Sequence, residues 1–205
     1  MKLPSALIIF YFVFLTSYCY ANTATDLTDT CIKGVGNYAE ACYSLGEMYS
    51  KGKKVPQDFH KAAESYSISC KGFNEIACYR LGTMYDTEIG VKKDHQLAAV
   101  LYFIACNANV SDACYNLGFM YESGNVINQD YFKAARLFSK ACNGGNELAC
   151  DNLASMYEKG QGVKQDYAKA KLLYRKACNK IVNNFALLTT SAGKQVNNCL
   201  LVVSH

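Results

Sequence analysis

From Cys114 onward, the apolar and small residues Cys114, Leu117, Gly118, Met120 and Tyr121 fall at offsets 0, 3, 4, 6 and 7. That is one stripe of a helix turning about 100° per residue, while offsets 1, 2, 5, 8 and 9 lie on the opposite arc. The stretch "ACYNLGFMYESG" carrying it returns every 36 residues, as "ACYSLGEMYSKG" from Ala41, "ACYRLGTMYDTE" from Ala77 and "ACDNLASMYEKG" from Ala149. A second amphipathic pattern follows each: "QDFHKAAESY" from Gln57, "KDHQLAAVLY" from Lys93, "QDYFKAARLF" from Gln129 and "QDYAKAKLLY" from Gln165. Asp58, Asp94, Asp130 and Asp166 stand where a helix N-cap belongs. Ala62, Ala98, Ala134 and Ala170 precede Tyr66, Tyr102, Phe138 and Tyr174 by one turn. Each unit therefore predicts two helices joined by a glycine-containing loop.

Gly46, Gly82 and Gly118 sit inside the first-helix stripe. A glycine there costs about 1 kcal/mol relative to alanine, so close approach of the partner helix is expected to offset it. Ala154 fits the same tight space in the fourth unit.

A unit of this length cannot bury its apolar face alone, and stacking neighbours buries it. The predicted fold is all-α, a right-handed αα-hairpin solenoid. Its array spans residues 22–180, with repeats at 41–76, 77–112, 113–148 and 149–184 and an N-terminal half-repeat at 27–40. Residues 181–205 predict an atypical C-terminal cap, because Ala186 replaces the next cysteine and Thr189 and Thr190 replace the Leu-Gly pair.

The first residues, "MKLPSALIIFYFVFLTSYCYA", have a basic start, an apolar stretch from Ala6 to Leu15 and a small-residue exit. This predicts a signal peptide over residues 1–21, with an uncleaved anchor as the alternative. Cleavage leaves an exported chain, secreted or periplasmic, with no further membrane association expected.

Export changes the reading of the eleven cysteines. Such a count implies metal or an oxidising compartment. The spacing of eight residues between Cys70 and Cys78, Cys106 and Cys114, and Cys142 and Cys150 lacks the short hooks of zinc sites, so no metal and no cofactor is expected. Two disulfide schemes remain. Pairing across the inter-unit loop gives Cys31–Cys42, Cys70–Cys78, Cys106–Cys114, Cys142–Cys150 and Cys178–Cys199. Pairing across the ends of one hairpin gives 42–70, 78–106, 114–142 and 150–178, and strands Cys31 and Cys199. The first uses all ten mature cysteines and is favoured.

The 205 residues are 51% hydrophobic and 19% charged, with a formal net charge of +4. The basic residues form no run, so no nucleic-acid partner is expected.

The unit "ACYNLGxMYxxG…GVxQDYxKAxxLYxKAC" resembles the Sel-one-like repeat (SLR), a relative of the tetratricopeptide repeat. The paired cysteines narrow the resemblance to the secreted Helicobacter cysteine-rich proteins, over residues 31 to 180. The departures are Glu88 for a loop glycine, Ala154 for the helix glycine, and the tail. The resemblance implies an SLR/TPR-like superhelix that binds penicillin-type β-lactams or cell-wall peptides, with slow β-lactamase hydrolysis. It also implies released proteins that engage host cells.

The residues themselves give the enzyme little support. Ser-x-x-Lys occurs at Ser50 and Ser191 without a Ser-Asp-Asn or Lys-Thr-Gly companion. Ser50 reads as a solvated position at a helix exit, and Ser191 lies in the degenerate tail. A metal-dependent hydrolase would need more than His60, His95 and His205, and His95 replaces an aromatic, so a packed ring is expected there. No catalytic residue can be assigned.

A binding face is better supported. The first-helix positions off the packing stripe vary between units, and in stacked hairpins they line the concave side. Tyr79, Arg80, Tyr115, Asn116, Phe119 and Asn152 are the candidate ligand-binding residues. Arg80, Asn116 and Asn152 share offset 2 and are expected to form a row. Such groups suit an extended peptide, a cell-wall fragment or a β-lactam, through stacking and paired hydrogen bonds. A host or envelope protein is the alternative partner, bound by a scaffold without catalysis.

Overall fold

In a computed structural model, which describes residues 24–185, every element is helical. The helices are α1 Ala24–Lys33, α2 Tyr38–Lys51, α3 Phe59–Lys71, α4 Glu75–Thr87, α5 His95–Asn107, α6 Ser111–Ser123, α7 Tyr131–Asn143, α8 Glu147–Lys159 and α9 Tyr167–Phe185. Two compact units divide between Lys93 and Asp94. In the first, α1 packs on α2, α2 on α3 and α3 on α4; in the second, α5 packs on α6 and so on through α8 on α9. This is an αα-hairpin solenoid fold. The expected signal peptide, and the expected cap from residue 186 on, lie outside the described residues.

Local chemistry sets the helix ends. The carboxylates of Asp58, Asp130 and Asp166 accept from the backbone N–H three residues on, at 3.0, 2.9 and 2.9 Å, and Asp94 does the same to Leu97 at 2.9 Å. The first helices start before the repeated Ala-Cys. Asn74 and Asn146 cap them by accepting from Ala77 and Ala149 at 2.9 and 2.8 Å. They end on the left-handed residues Gly52, Gly124 and Gly160. Glu88 takes that place in α4 with φ 60°, a conformation that disfavours a side chain. Helix α9 runs to Phe185, whereas α3, α5 and α7 stop at Lys71, Asn107 and Asn143. The chain turns at the left-handed residues Phe73, Asn109 and Gly145, with φ 65, 68 and 93°, and the β-branched Ile181 at the corresponding place resists that conformation.

The core is built from small first-helix residues and large second-helix aromatics. Tyr66, Tyr102 and Phe138 are essentially inaccessible to solvent. A Cβ on Gly46 would stand 2.6 Å from the Tyr66 ring, and one on Gly118 would stand 2.9 Å from the Phe138 ring. The rings occupy the space that alanine would need, which offsets the cost of glycine in a helix. Ala154 is fully buried in the fourth unit, where Tyr174 is only half-buried.

The disulfides join Cys31 to Cys42, Cys70 to Cys78, Cys106 to Cys114 and Cys142 to Cys150, with Cα separations of 4.9, 4.7, 4.6 and 4.7 Å. The last three each tie the final turn of one second helix to the first turn of the next first helix. Pairing across the ends of one hairpin is therefore not the arrangement adopted. Cys178 is also disulfide-bonded, and Cys199, its expected partner, lies outside the described residues.

Candidate functional site

The off-stripe face of the first helices carries a polar network in the first unit. Tyr66 on α3 rests on Gly46 and reaches past it, so that its hydroxyl donates to Glu47 Oε1 on α2 at 2.7 Å. Ser50 Oγ lies 3.2 Å from the same hydroxyl and 3.1 Å from the Glu47 carbonyl. Lys51 pairs with the second Glu47 oxygen. From α4, Arg80 Nε approaches Glu47 Oε1 at 3.3 Å. Burial opposes the Glu47 charge, but Lys51, Tyr66 and Arg80 outweigh it and hold the carboxyl below its ordinary value. Burial and the adjacent Glu47 push the Tyr66 hydroxyl far up, against the bond from Ser50, so it stays a donor.

The second unit repeats this device with its parts exchanged. Tyr174 Oη donates to Glu158 Oε2 at 2.9 Å, and Ser155 also hydrogen-bonds it. The acid stands at offset 5 and the serine at offset 8 in the first hairpin; in the last, the acid is at offset 8 and the serine at offset 5. Burial and Glu158 raise the Tyr174 hydroxyl to about 12.

Between them, the third hairpin breaks the rule. Phe138 has no hydroxyl to offer, yet Glu122 still occupies offset 8. Burial raises the Glu122 carboxyl, with Lys159 acting against it. Phe119, at offset 5, is 53% exposed, and the ring of Tyr115 lies 5.9 Å from that of Phe138. Burial and Glu122 raise the Tyr115 hydroxyl, against a hydrogen bond from Asn152 on α8. The result is a half-buried carboxyl, an exposed aromatic and a tyrosine–asparagine pair on one face of α6 and α8.

The six residues singled out from sequence divide between the units. Tyr79 and Arg80 belong to the first; Tyr115, Asn116, Phe119 and Asn152 belong to the second. Arg80 is 45% exposed but engaged: besides Glu47, it hydrogen-bonds Tyr43, and its guanidinium lies 5.9 Å from the Tyr79 ring centroid. Tyr43 to Arg80 and Tyr115 to Asn152 are the same link between consecutive first helices, from offset 1 to offset 2. Sequence reasoning missed Glu47, Tyr66, Glu122 and Glu158. Their signal was present: Glu47 precedes Tyr66 by 19 residues and Glu158 precedes Tyr174 by 16.

Ser50 is not in a solvated loop. It occupies the last turn of α2, half-buried, because Tyr66 holds it there. His95 is half-buried at the start of α5, His60 is exposed beside Glu64 at 3.5 Å, and His205 lies outside the described residues. Among the described residues, no group of three or more His, Cys, Asp or Glu side chains could hold a metal ion.

The family model of the Sel1 repeat matches residues 39–71, 76–110, 111–146 and 148–180. No curated protein matches. Among solved structures, c5321, a protective antigen of uropathogenic Escherichia coli with an SLR fold, is 31% identical over 70% of this chain and 31% of its own, with a TM-score of 0.67. A Sel1 repeat protein of Oxalobacter formigenes is 27% identical over 70% of this chain and 59% of its own, with a TM-score of 0.66. The chain thus spans about a third and three fifths of these two relatives. Cysteine rich protein B of Helicobacter pylori is 29% identical over 62% of this chain and 92% of its own, at a TM-score of 0.48, a superposition too loose to carry weight.

Proposed function

The chain belongs to the Sel1 repeat family, and from that premise we propose that it is an exported scaffold that binds an extended peptide without chemistry. The observation that carries this reading is the face of α6 and α8. There Phe119 is 53% exposed beside Tyr115, Asn116 and Asn152, with Glu122 and Glu158 supplying acceptors. An exposed aromatic next to amide and carboxyl groups suits a peptide backbone with amide or cationic side chains. The second unit also pairs Tyr115 with Asn152 and Tyr174 with Glu158, but it presents the exposed Phe119 where the first unit has Glu47 and Thr83, so affinity concentrates on the second. The disulfides support an oxidising compartment, periplasmic or extracellular.

The hydrolytic alternative, slow β-lactamase action, rests on resemblance to the Helicobacter cysteine-rich proteins. Ser50 is the described serine of a Ser-x-x-Lys pair, and it contacts a carbonyl and a tyrosine hydroxyl whose own proton is tightly held. Nothing in that setting draws the proton from Ser50.

Isothermal titration of the oxidised protein with a cell-wall stem peptide and with benzylpenicillin, beside a nitrocefin assay, tests both readings. Saturable peptide binding that the Asn116→Ala and Asn152→Ala pair weakens about thirtyfold or more is expected, since each lost anchor costs about 1–3 kcal/mol. Unchanged affinity in that folded variant would remove the site. Nitrocefin turnover lost on Ser50→Ala would reinstate the hydrolase.

A further inference from the structure

The second helices of the second unit show a segregation of charge that the peptide site does not use. α5, α7 and α9 contain no acidic residue, while α7 and α9 carry Arg136, Lys140, Arg175 and Lys176 among their cations. The acids of this unit lie on the first helices, as Asp112, Glu122, Glu147, Asp151 and Glu158, or at the N-caps. Side-chain contacts place the three helices side by side: Lys140 Nζ reaches the Asn107 carbonyl at the end of α5 at 3.5 Å, and Lys176 Nζ reaches Asn143 Oδ1 at the end of α7 at 3.2 Å.

On the same outer surface, α5 exposes a strip of Leu97, Val100, Phe103 and Ile104, with Val100 at 54% and Phe103 at 55% exposed. The equivalent positions elsewhere are mostly polar. Phe103 corresponds to Ser67, Ser139 and Arg175, and Leu97 to Lys61, Lys133 and Lys169. Those three lysines lie 5.5, 5.2 and 4.3 Å from the ring centroids of Tyr49, Tyr121 and Tyr157. Between the turn that follows α5 and helix α7 is a cavity of about 600 Å³ lined by Asn109, Ser111, Arg136, Ser139, Lys140 and Asn143. Contiguous exposed apolar surface rimmed by polar groups marks an interaction surface.

We propose that this face docks on an anionic phospholipid surface, with the α5 strip at the headgroup–acyl boundary and Arg136 and Lys140 against headgroup phosphates. The charge selects an anionic partner. A soluble polyanion would leave the α5 strip in water, whereas a lipid interface takes both apolar and cationic groups. This is a peripheral association: among the described residues no helix is long and apolar enough to cross a membrane.

The test is co-sedimentation of the oxidised full chain with vesicles of phosphatidylcholine alone and of phosphatidylcholine with phosphatidylglycerol in equal parts. Binding only to the anionic vesicles, weakened by added salt, is expected. Each cation near such a surface is worth about fivefold in partitioning, so Arg136→Gln, Lys140→Gln and Arg175→Gln together should lower it about a hundredfold. Phe103→Ser, which installs the residue α3 and α7 already carry, should lower it about fivefold or more with helicity unchanged. Equal binding to neutral vesicles, or no binding at all, overturns the proposal. So does a Phe103→Ser protein that binds undiminished while the cation variant is lost and heparin retains the parent, since that outcome identifies an acidic polymer as the partner.

Discussion

The hydroxyl of Tyr66 donates to Glu47 Oε1 at 2.7 Å across 19 residues, from the second helix of a hairpin through the gap left by Gly46 on the first. One contact thus links three features that look unrelated in the sequence: a helix-interior glycine, a buried tyrosine and a variable acid.

Tyr66→Phe should destabilise the protein by about 1–3 kcal/mol, because it leaves a half-buried carboxylate short of a donor. Glu47→Gln should cost less, and the double variant should show coupling between the two. Urea unfolding of the four proteins measures this. Strict additivity would mean that the bond contributes nothing.

The same group predicts a pH dependence. Glu47 is held below its ordinary value of 4.5 in the folded state, so the stability it contributes is present above pH 4.5 and is lost as pH falls through the folded value. Melting temperature should drop on acidification in the parent and drop less steeply in Glu47→Gln. Parallel profiles would refute the assignment.

How much of this could be read beforehand depends on the kind of interaction. The 36-residue stripe and the aspartate caps follow from spacing alone, because each is local or repeats at every unit, whereas spacing only favoured the loop-spanning disulfides over pairing across a hairpin. The Tyr–Glu bonds were not legible in the same way, since the acid moves between offsets 5 and 8. Glu47 with Ser50 becomes Ser155 with Glu158, and a fixed-column reading sees only variation. Arg80 looked like a ligand anchor for the same reason. Whether it is free or paired depends on which residue the preceding hairpin presents, here Glu47 and Tyr43.

Arg80→Ala should therefore lower stability as well as remove a surface cation. A loss on the order of 0.5–1 kcal/mol is expected for a partly exposed pair, and it should shrink in a Glu47→Gln background, where the contacts to Tyr43 and Tyr79 remain. If Arg80→Ala leaves the melting temperature unmoved in both backgrounds, the guanidinium is spare.

The disulfides should account for a measurable share of stability. Replacing Cys106 and Cys114 together by alanine closes no loop in the unfolded chain, and for an eight-residue separation the chain-entropy cost is about 2–3 kcal/mol at most. Denaturant midpoints with and without the pair measure it. Alkylation of the denatured, unreduced parent should label none of the nine described cysteines from Cys31 to Cys178, since all are bonded. Labelling at any of them would contradict the pairing.

The third hairpin offers the most specific test, because it holds the acid without the hydroxyl. Phe138→Tyr should restore at Glu122 the bond that Tyr174 makes to Glu158 at 2.9 Å, where the tyrosine and acid have the same separation of 16. Phe119 stands where Ser155 does in the fourth hairpin, but it is 53% exposed and can turn outward. Burial raises Glu122 in the folded state, so the carboxyl favours folding when protonated and opposes it as pH rises past its ordinary value of 4.5. Phe138→Tyr should therefore be about neutral at acid pH and stabilise by about 0.5–1.5 kcal/mol at neutral pH, the range of a net hydrogen bond. Glu122→Gln should abolish that pH-dependent gain. A Phe138→Tyr protein that is destabilised equally at both pH values would show that the third hairpin is closed to the hydroxyl, and that Glu122 is not the vacant half of the repeated pair.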